Sequence, residues 1–234
     1  MERRHRRGVP HGLAPLNGSS GTVGLVGYTL GGGMGPMGRT FGFAADHVRA
    51  IQLVDAHGGI VDVDAETEPE LFWALRGGKC SVGIVTEIEF NLMALSDIYA
   101  GGVFFPGADA PAVLHAYRGW APTLPESTTT SIALLRLPDI EAVPPPLRGR
   151  LSVHLRYVHV GDDDGGAALL APMRAVCPPI VDLVGRIPYA AIDSVPRIRP
   201  TRCPRGTGAS CSASSPPTLS TPCSPPLARG WTCP

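Results

Sequence analysis

The chain has 234 residues, 44% of them hydrophobic, enough for one large domain or two small ones around a packed core. Lys plus Arg number 20 and Asp plus Glu number 20, so the formal charge is zero, which argues against a nucleic-acid binder. No apolar run approaches the ~18 residues of a membrane span, and the basic start Met1–Arg7 is followed by Gly8-Val9-Pro10 instead of an apolar stretch, which points to a cytoplasmic protein without a membrane partner.

In chain order, Met1 to Pro10 has no pattern, and Thr22 to Leu30 reads as a strand or extended turn running into glycines. Val48 to Val54 alternates like a half-buried strand, His57-Gly58-Gly59 turns, and Ile60 to Val63 returns as the second arm of a hairpin. Thr67 and Glu70 stand at capping-box spacing, so a helix is predicted to start there, with Leu71, Ala74 and Leu75 on its buried face and Gly77-Gly78 at its end. Val82 to Phe90 is a further strand with Glu87 and Glu89 on its wet side. Beyond it lie predicted strands over Ala100–Phe105, Ser131–Leu137 and Leu151–Val160. Helices are expected over Ala110–Ala121, with Val113, Leu114, Tyr117 and Trp120 on one face, and over Gly166–Ala175. Asp162-Asp163-Asp164-Gly165 begins like a calcium loop but has no acid at the twelfth position, so it reads as a solvated turn. Pro196 to Pro234 is rich in Pro, Ser, Arg and Cys, with too little apolar surface to offset the entropy of ordering it.

The six cysteines show no CxxC pair and no neighbouring histidine, so no metal site is expected. Cys80 reads as a small buried residue and His47 as a loop-packing histidine. The stretch "GTVGLVGYTLGGGMGPMGRTFG", Gly21 to Gly42, holds nine glycines. Such bare backbone serves sharp turns or close approach to another group, for instance a phosphate-bearing cofactor. Gly33-Met34-Gly35-Pro36-Met37-Gly38 matches GxGxxG, and Asp55 falls where a ribose-binding acid would sit, which leaves a nicotinamide dehydrogenase open. That fold needs a helix at those glycines, and Arg39-Thr40-Phe41-Gly42-Phe43 is too broken to make a good one.

The whole phrase from Pro15 to Gly59, followed by "PELFWALRGGKCSVGIVTEIEF", resembles FAD-linked oxidases of the vanillyl-alcohol oxidase and p-cresol methylhydroxylase (PCMH) type, in particular the berberine-bridge-like branch. The resemblance covers about Gly12 to Val195. It implies an α+β fold: a partial PCMH-type FAD-binding domain, its second subdomain, over 12–95, then an incomplete mixed α/β substrate domain over 96–195. It implies FAD as cofactor, hydride transfer from an alcohol or amine carbon of a small-molecule substrate to flavin N5, and O2 as the oxidant. By analogy Thr22, Val23, Gly24, Gly27, Gly32, Gly33 and Gly35 approach the cofactor through backbone, Tyr28 stands beside the flavin ring, and Gly83, Ile84 and Val85 form the strand along it. Ser20 stands where doubly attached relatives carry Cys, so FAD is expected to be non-covalent if it is held at all. Tyr117, His154, Arg156, Tyr157 and His159 are polar enough to line the far wall, and none is assigned a catalytic role.

The resemblance also implies two missing pieces: the first flavin subdomain before Gly12, and the return to the flavin domain after the substrate domain. A one-nucleotide shift in GC-rich codons permits family-like sequence at both ends. Residues 1–11 and 196–234 are therefore expected to be out-of-frame remnants, and the alternative function is an inactive gene remnant. Strands that lose their partner subdomain are expected to leave apolar faces bare.

Overall fold

A computed structural model describes residues 11–20, 23–79, 81–141 and 143–195. The expectations for Thr22, Cys80 and the tail from Pro196 therefore lie outside the described residues. The first segment carries strand β1 (Leu13–Ala14), helix α1 (Leu25–Thr29), helix α2 (Gly38–Phe41), strands β2 (Val48–Val54) and β3 (Ile60–Asp64), helix α3 (Pro69–Gly78), and strands β4 (Ile84–Phe90) and β5 (Met93–Ala94). The second carries β6 (Asp97–Pro106), α4 (Ala110–Trp120), β7 (Thr128–Arg136), β8 (Leu151–His159), α5 (Asp163–Arg174), β9 (Val181–Asp182) and β10 (Gly185–Pro188), then a 3-10 turn over Tyr189–Ser194.

Three antiparallel sheets result. β3–β2–β4 form one, β1 pairs β5, and the largest runs β10–β6–β8–β7 with β9 also on β6. In the small sheet Ile51 stands opposite Val63 and Ile88, and its inner face packs Ile51, Leu53 and Val63 on Phe72 and Leu75 of α3 and on Leu30. The outer face ends in a bare apolar row: Val54 pairs with Ile60 and Ile84, which are 71% and 72% exposed. In the large sheet alternation divides β8. Val153, Leu155 and Tyr157 pack against α4 and α5, while Ser152, His154, Arg156 and Val158 alternate with them and so point to the other face.

That other face meets the glycine-rich segment. Ala14, Leu16, Met37 and Ala44 share a core with Ile98, Ala100, Val158, Tyr189 and Ile192. The Tyr189 hydroxyl, buried and with its pKa driven up by that burial, lies between the Pro15 carbonyl and Asn17 Oδ1 and fastens the seam.

Four local expectations are corrected. Residues 25–29 form a helix and not the expected strand or extended turn: Leu25 and Thr29, one turn apart, are the buried positions, and Leu30 N–H donates to the Val26 carbonyl at 2.9 Å. The capping box at Thr67 does not form. The Asp64 carboxylate takes the amides of Glu66 and Thr67 at 2.8 and 2.6 Å, which holds its pKa below the usual carboxylate value, and the helix starts at Pro69 instead. The acidic run does turn, with Asp162 capping α5 by accepting the Gly165 amide at 2.7 Å; the helix thus starts earlier than Gly166. His47 packs in its loop, 2.6 Å from the Phe41 carbonyl. Leu114, expected on one face of α4 with Val113, Tyr117 and Trp120, is exposed while Val113 and Trp120 are buried. Among the described residues no helix is long and apolar enough to cross a membrane.

Two stability outcomes follow from these placements. Lys79 sits at φ 60° and ψ −142°, a region that only glycine occupies without strain. Lys79→Gly is expected to stabilise the fold by roughly 1 kcal/mol, read as a higher denaturant midpoint at unchanged m-value. His154 is 1% exposed, stacked on Phe104 at 4.2 Å, and neither ring nitrogen has a partner. Burial, and then the nearby Arg156 charge, push its pKa down to about 4. The unfolded chain therefore binds this proton first. The stability tied to neutral His154 is whole above about pH 6.5 and drains away as pH falls toward 4. The full swing is on the order of 3 kcal/mol. Urea melts at about pH 5 and about pH 8 should show His154→Leu losing less stability than the unaltered chain on acidification.

Candidate functional site

A cleft of about 440 Å³ lies where the glycine-rich loop meets the large sheet. Its size is that of a small-molecule site, which runs roughly 300–1,000 Å³. One wall is loop backbone and rim: Ser19, Gly35, Pro36, Gly38 and Gly42, with Met34 and Phe43 at the exposed edge. The facing wall is Thr129, Thr130 and Ser131 of β7 and Arg156 and Val158 of β8, with Val195 also present. Antiparallel pairing puts Ser131 opposite Arg156 and Thr129 opposite Val158.

Helix α2 sets the gap between the walls. The Arg39 guanidinium donates to the carbonyls of Leu124 at 2.8 Å and Thr128 at 3.1 Å, and the Thr40 hydroxyl donates to the Glu126 carbonyl at 2.9 Å. These bonds clamp the loop to the start of β7. Arg156 is different: its Nε is buried with no hydrogen-bond partner, and no ion pair engages it among the described residues.

The glycines fall into two groups. A Cβ on Gly24, Gly27 or Gly32 would meet nothing within 4 Å, so their backbone is open to an approaching group. Gly33 and Gly35 are packed. A Cβ on Gly33 would lie 2.7 Å from the Ala44 Cβ and 3.1 Å from the Tyr28 ring, and one on Gly35 would run into the Asn17 carbonyl. Gly83 is likewise tight, 2.6 Å from Leu53 and Val54 atoms by the same measure. Tyr28 is turned inward: its hydroxyl donates to the Gly33 carbonyl at 2.6 Å, and burial pushes its pKa up to about 12.

Of the other expected residues, Ser20 is half-buried and its carbonyl accepts the Val23 amide at 3.2 Å, while Val23 is exposed. Ile84 is exposed at the start of β4 and Val85 is half-buried against the small-sheet core. Among the described residues of the expected set, Gly35 lines the cleft. The far-wall candidates separate by strand face. Arg156 lines the cleft. His154 shares its face but is covered. Tyr157 lies on the helix side and donates to the Gly166 carbonyl at 2.9 Å. His159 is 2.9 Å from the Thr128 hydroxyl, and Tyr117 packs on the helical core. The sequence reading does not reach Arg39, Thr129 or Ser131; the two-residue alternation that brings Ser131 to face Arg156 is the signal for the two β7 residues.

The nicotinamide reading fails on topology. Every strand pairing among the described residues is antiparallel, so no βαβ unit stands at the GxGxxG stretch. Asp55 is a turn residue that accepts the amides of His57 and Gly59 at 2.8 Å each.

No family model matches the chain. It is 26% identical over 181 residues to an FAD-linked oxidoreductase of Dictyostelium discoideum, an alignment covering 77% of this chain and 37% of that protein. It is 32% identical over 124 residues to the (R)-6-hydroxynicotine oxidase of Paenarthrobacter nicotinovorans, covering 53% of this chain and 24% of the oxidase. The crystal structure of 6-hydroxy-D-nicotine oxidase from Arthrobacter nicotinovorans superposes with a TM-score of 0.72 at 23% identity, over 83% of this chain and 42% of that one. The chain thus spans well under half the length of the proteins it matches. Its homologues are FAD-linked oxidoreductases, and its fold is part of the α+β architecture of berberine-bridge-like oxidases with a PCMH-type FAD-binding domain.

Proposed function

We propose that this chain is the flavin-and-substrate portion of an FAD-dependent oxidoreductase that oxidises an alcohol or amine carbon of a small molecule. The observation that carries the reading is the cleft itself, one wall bare backbone and the other polar strand side chains, on a fold shared with FAD-linked oxidases. The chain's residues fit a flavin nucleotide at the open glycines: a Cβ on Gly24, Gly27 or Gly32 would meet nothing within 4 Å, so a group can come close to the backbone there, although the Gly24 carbonyl and both backbone groups of Gly32 are already bonded within the chain. Ser20 cannot form a thioether, so the cofactor is held at this position without a covalent bond. When bound, FAD supplies the hydride acceptor and its reoxidation by O2.

What the chain itself contributes is placement. The Arg39 clamp holds loop and sheet at a set distance, so a planar group entering between them meets two prepared walls. Met34 and Phe43 present exposed apolar surface at the rim. The Thr129 and Ser131 hydroxyls orient a polar substrate group on the sheet side. Tyr28 plays no proton-transfer part at neutral pH, since its hydroxyl is bonded inward and stays protonated.

Gly27→Leu separates binding from folding. The site of the new side chain is empty and lies on a helix, so the melting temperature is expected to hold or rise. Flavin binding is expected to fall about tenfold or more, read from quenching of FAD fluorescence and from retained absorbance near ~450 nm. An unaltered chain that takes up no FAD, or a variant that binds it equally well, overturns the reading.

A further inference from the structure

We propose that the cleft selects substrates carrying a carboxylate, held by the Arg156 guanidinium, with the apolar body of the molecule against Val158, Pro36 and Val195. The proposal deepens the oxidoreductase reading and rests on it only in calling the anion a substrate.

The charge balance of the cleft is one-sided. Among the described residues its titratable lining groups are Arg39 and Arg156, and no described Asp or Glu lines it. Arg39 donates from both terminal nitrogens to the Leu124 and Thr128 carbonyls, so its guanidinium is held at one side. Arg156 has spent none. Its Nε is buried with no acceptor, and the terminal nitrogens of this half-buried side chain have no hydrogen-bond or ion-pair partner among the described residues. Its neighbour on the same strand face, His154, is neutral at physiological pH and offers no compensating charge. Ser131 stands directly across the strand pair and its hydroxyl is uncommitted, a second donor for the same group.

The guanidinium edge through Nη1 and Nη2, which unlike Nε is not buried, is planar and presents two parallel N–H bonds, which matches a carboxylate bidentately. A guanidinium grips phosphate by the same fork, so competition tells the two anions apart. The rest of the lining, Val158, Pro36 and Val195 with Met34 and Phe43 at the mouth, accepts an aromatic or alkyl body. The preferred substrate is therefore a small organic acid with an oxidisable alcohol or amine carbon.

The test uses the whole chain with benzoate and its neutral isostere benzamide as probes, followed by ligand-observed NMR and calorimetry. Benzoate is expected to bind and benzamide to bind about tenfold or more weakly, the worth of a charge-assisted pair. Arg156→Gln is expected to abolish the preference. Ser131→Asp places a carboxylate across from the guanidinium, so it is expected to raise the melting temperature and also abolish benzoate binding. If Arg156→Gln fails to fold, the benzoate–benzamide comparison and the Ser131 variant decide. Equal binding of the two probes, unchanged benzoate binding in Ser131→Asp, or displacement of benzoate by equimolar inorganic phosphate overturns the proposal. So does displacement by FAD, because the anion site then belongs to the cofactor. Benzoate binding in a chain that takes up no FAD upholds the anion site and retires the oxidoreductase reading. FAD uptake without benzoate binding does the reverse.

Discussion

The seating of the Tyr28 ring is the constraint on which the glycine-rich segment depends. A Cβ on Gly18 would lie 3.0 Å from one edge of the ring and a Cβ on Gly33 would lie 3.1 Å from the other. The ring therefore fits only because both positions lack a side chain. Its hydroxyl is bonded to the Gly33 carbonyl, which removes the penalty of burying that polar group. Gly33 itself sits at φ +76°, so the chain turns back there, and its carbonyl also accepts the Ala44 amide at 3.0 Å. One aromatic side chain thus fixes the path of the loop from Gly31 to Met37, which forms the floor of the cleft.

The same loop is tied to the large sheet from two sides. Asn17 and Tyr189 join the start of the segment to the last 3-10 turn, and Asn17 Nδ2 reaches the Gly18 carbonyl and, at 3.5 Å, Asp193. Arg39 and Thr40 join its far end to the carbonyls that lead into β7. Between the two ties lie Met37, Ala44, Ile98, Ala100 and Val158, a small apolar seam. The ties are directional and the seam is not, so the polar contacts set the register of loop on sheet while the seam supplies the affinity. The cleft is the space left where the seam ends and the Arg156 side of β8 begins.

Much of this architecture is legible in the residues. The hairpin around His57-Gly58-Gly59, the α4 spacing of Val113, Tyr117 and Trp120, and the alternation of β6, β7 and β8 all state their structure locally. The glycines do not, because glycine reports only that a side chain is absent. Gly27 lies open and Gly33 lies against a ring, and nothing in "GLVGYTLGGG" separates the two uses. Helix α1 was hidden for the same reason: two of the residues around it are glycines, so its one-turn stripe of Leu25 and Thr29 is too short to stand out. The far wall was legible as an alternation but not as a direction. His154 and Arg156 oppose Tyr157 and His159 on any strand, yet which pair meets the cleft depends on where α4 and α5 pack, a long-range fact.

The small sheet shows what a three-stranded element settles for when it has one packing partner. Helix α3 and Leu30 cover its inner face, and the Leu53 side chain there is fully buried. Gly83 lets the start of β4 close onto Leu53 and Val54, a contact that no larger residue permits. That same closure turns Ile84 outward beside Val54 and Ile60, so tight packing on one face creates the bare apolar row on the other. Trp73 is exposed to a similar degree, on the side of α3 away from Phe72 and Leu75. A soluble monomer seldom leaves such residues contiguous and unshielded. The inner core and the Gly83 contact must then carry this sheet alone, which makes the strain at Lys79, in the connection from α3 to β4, weigh more here than it would in a sheet covered on both faces.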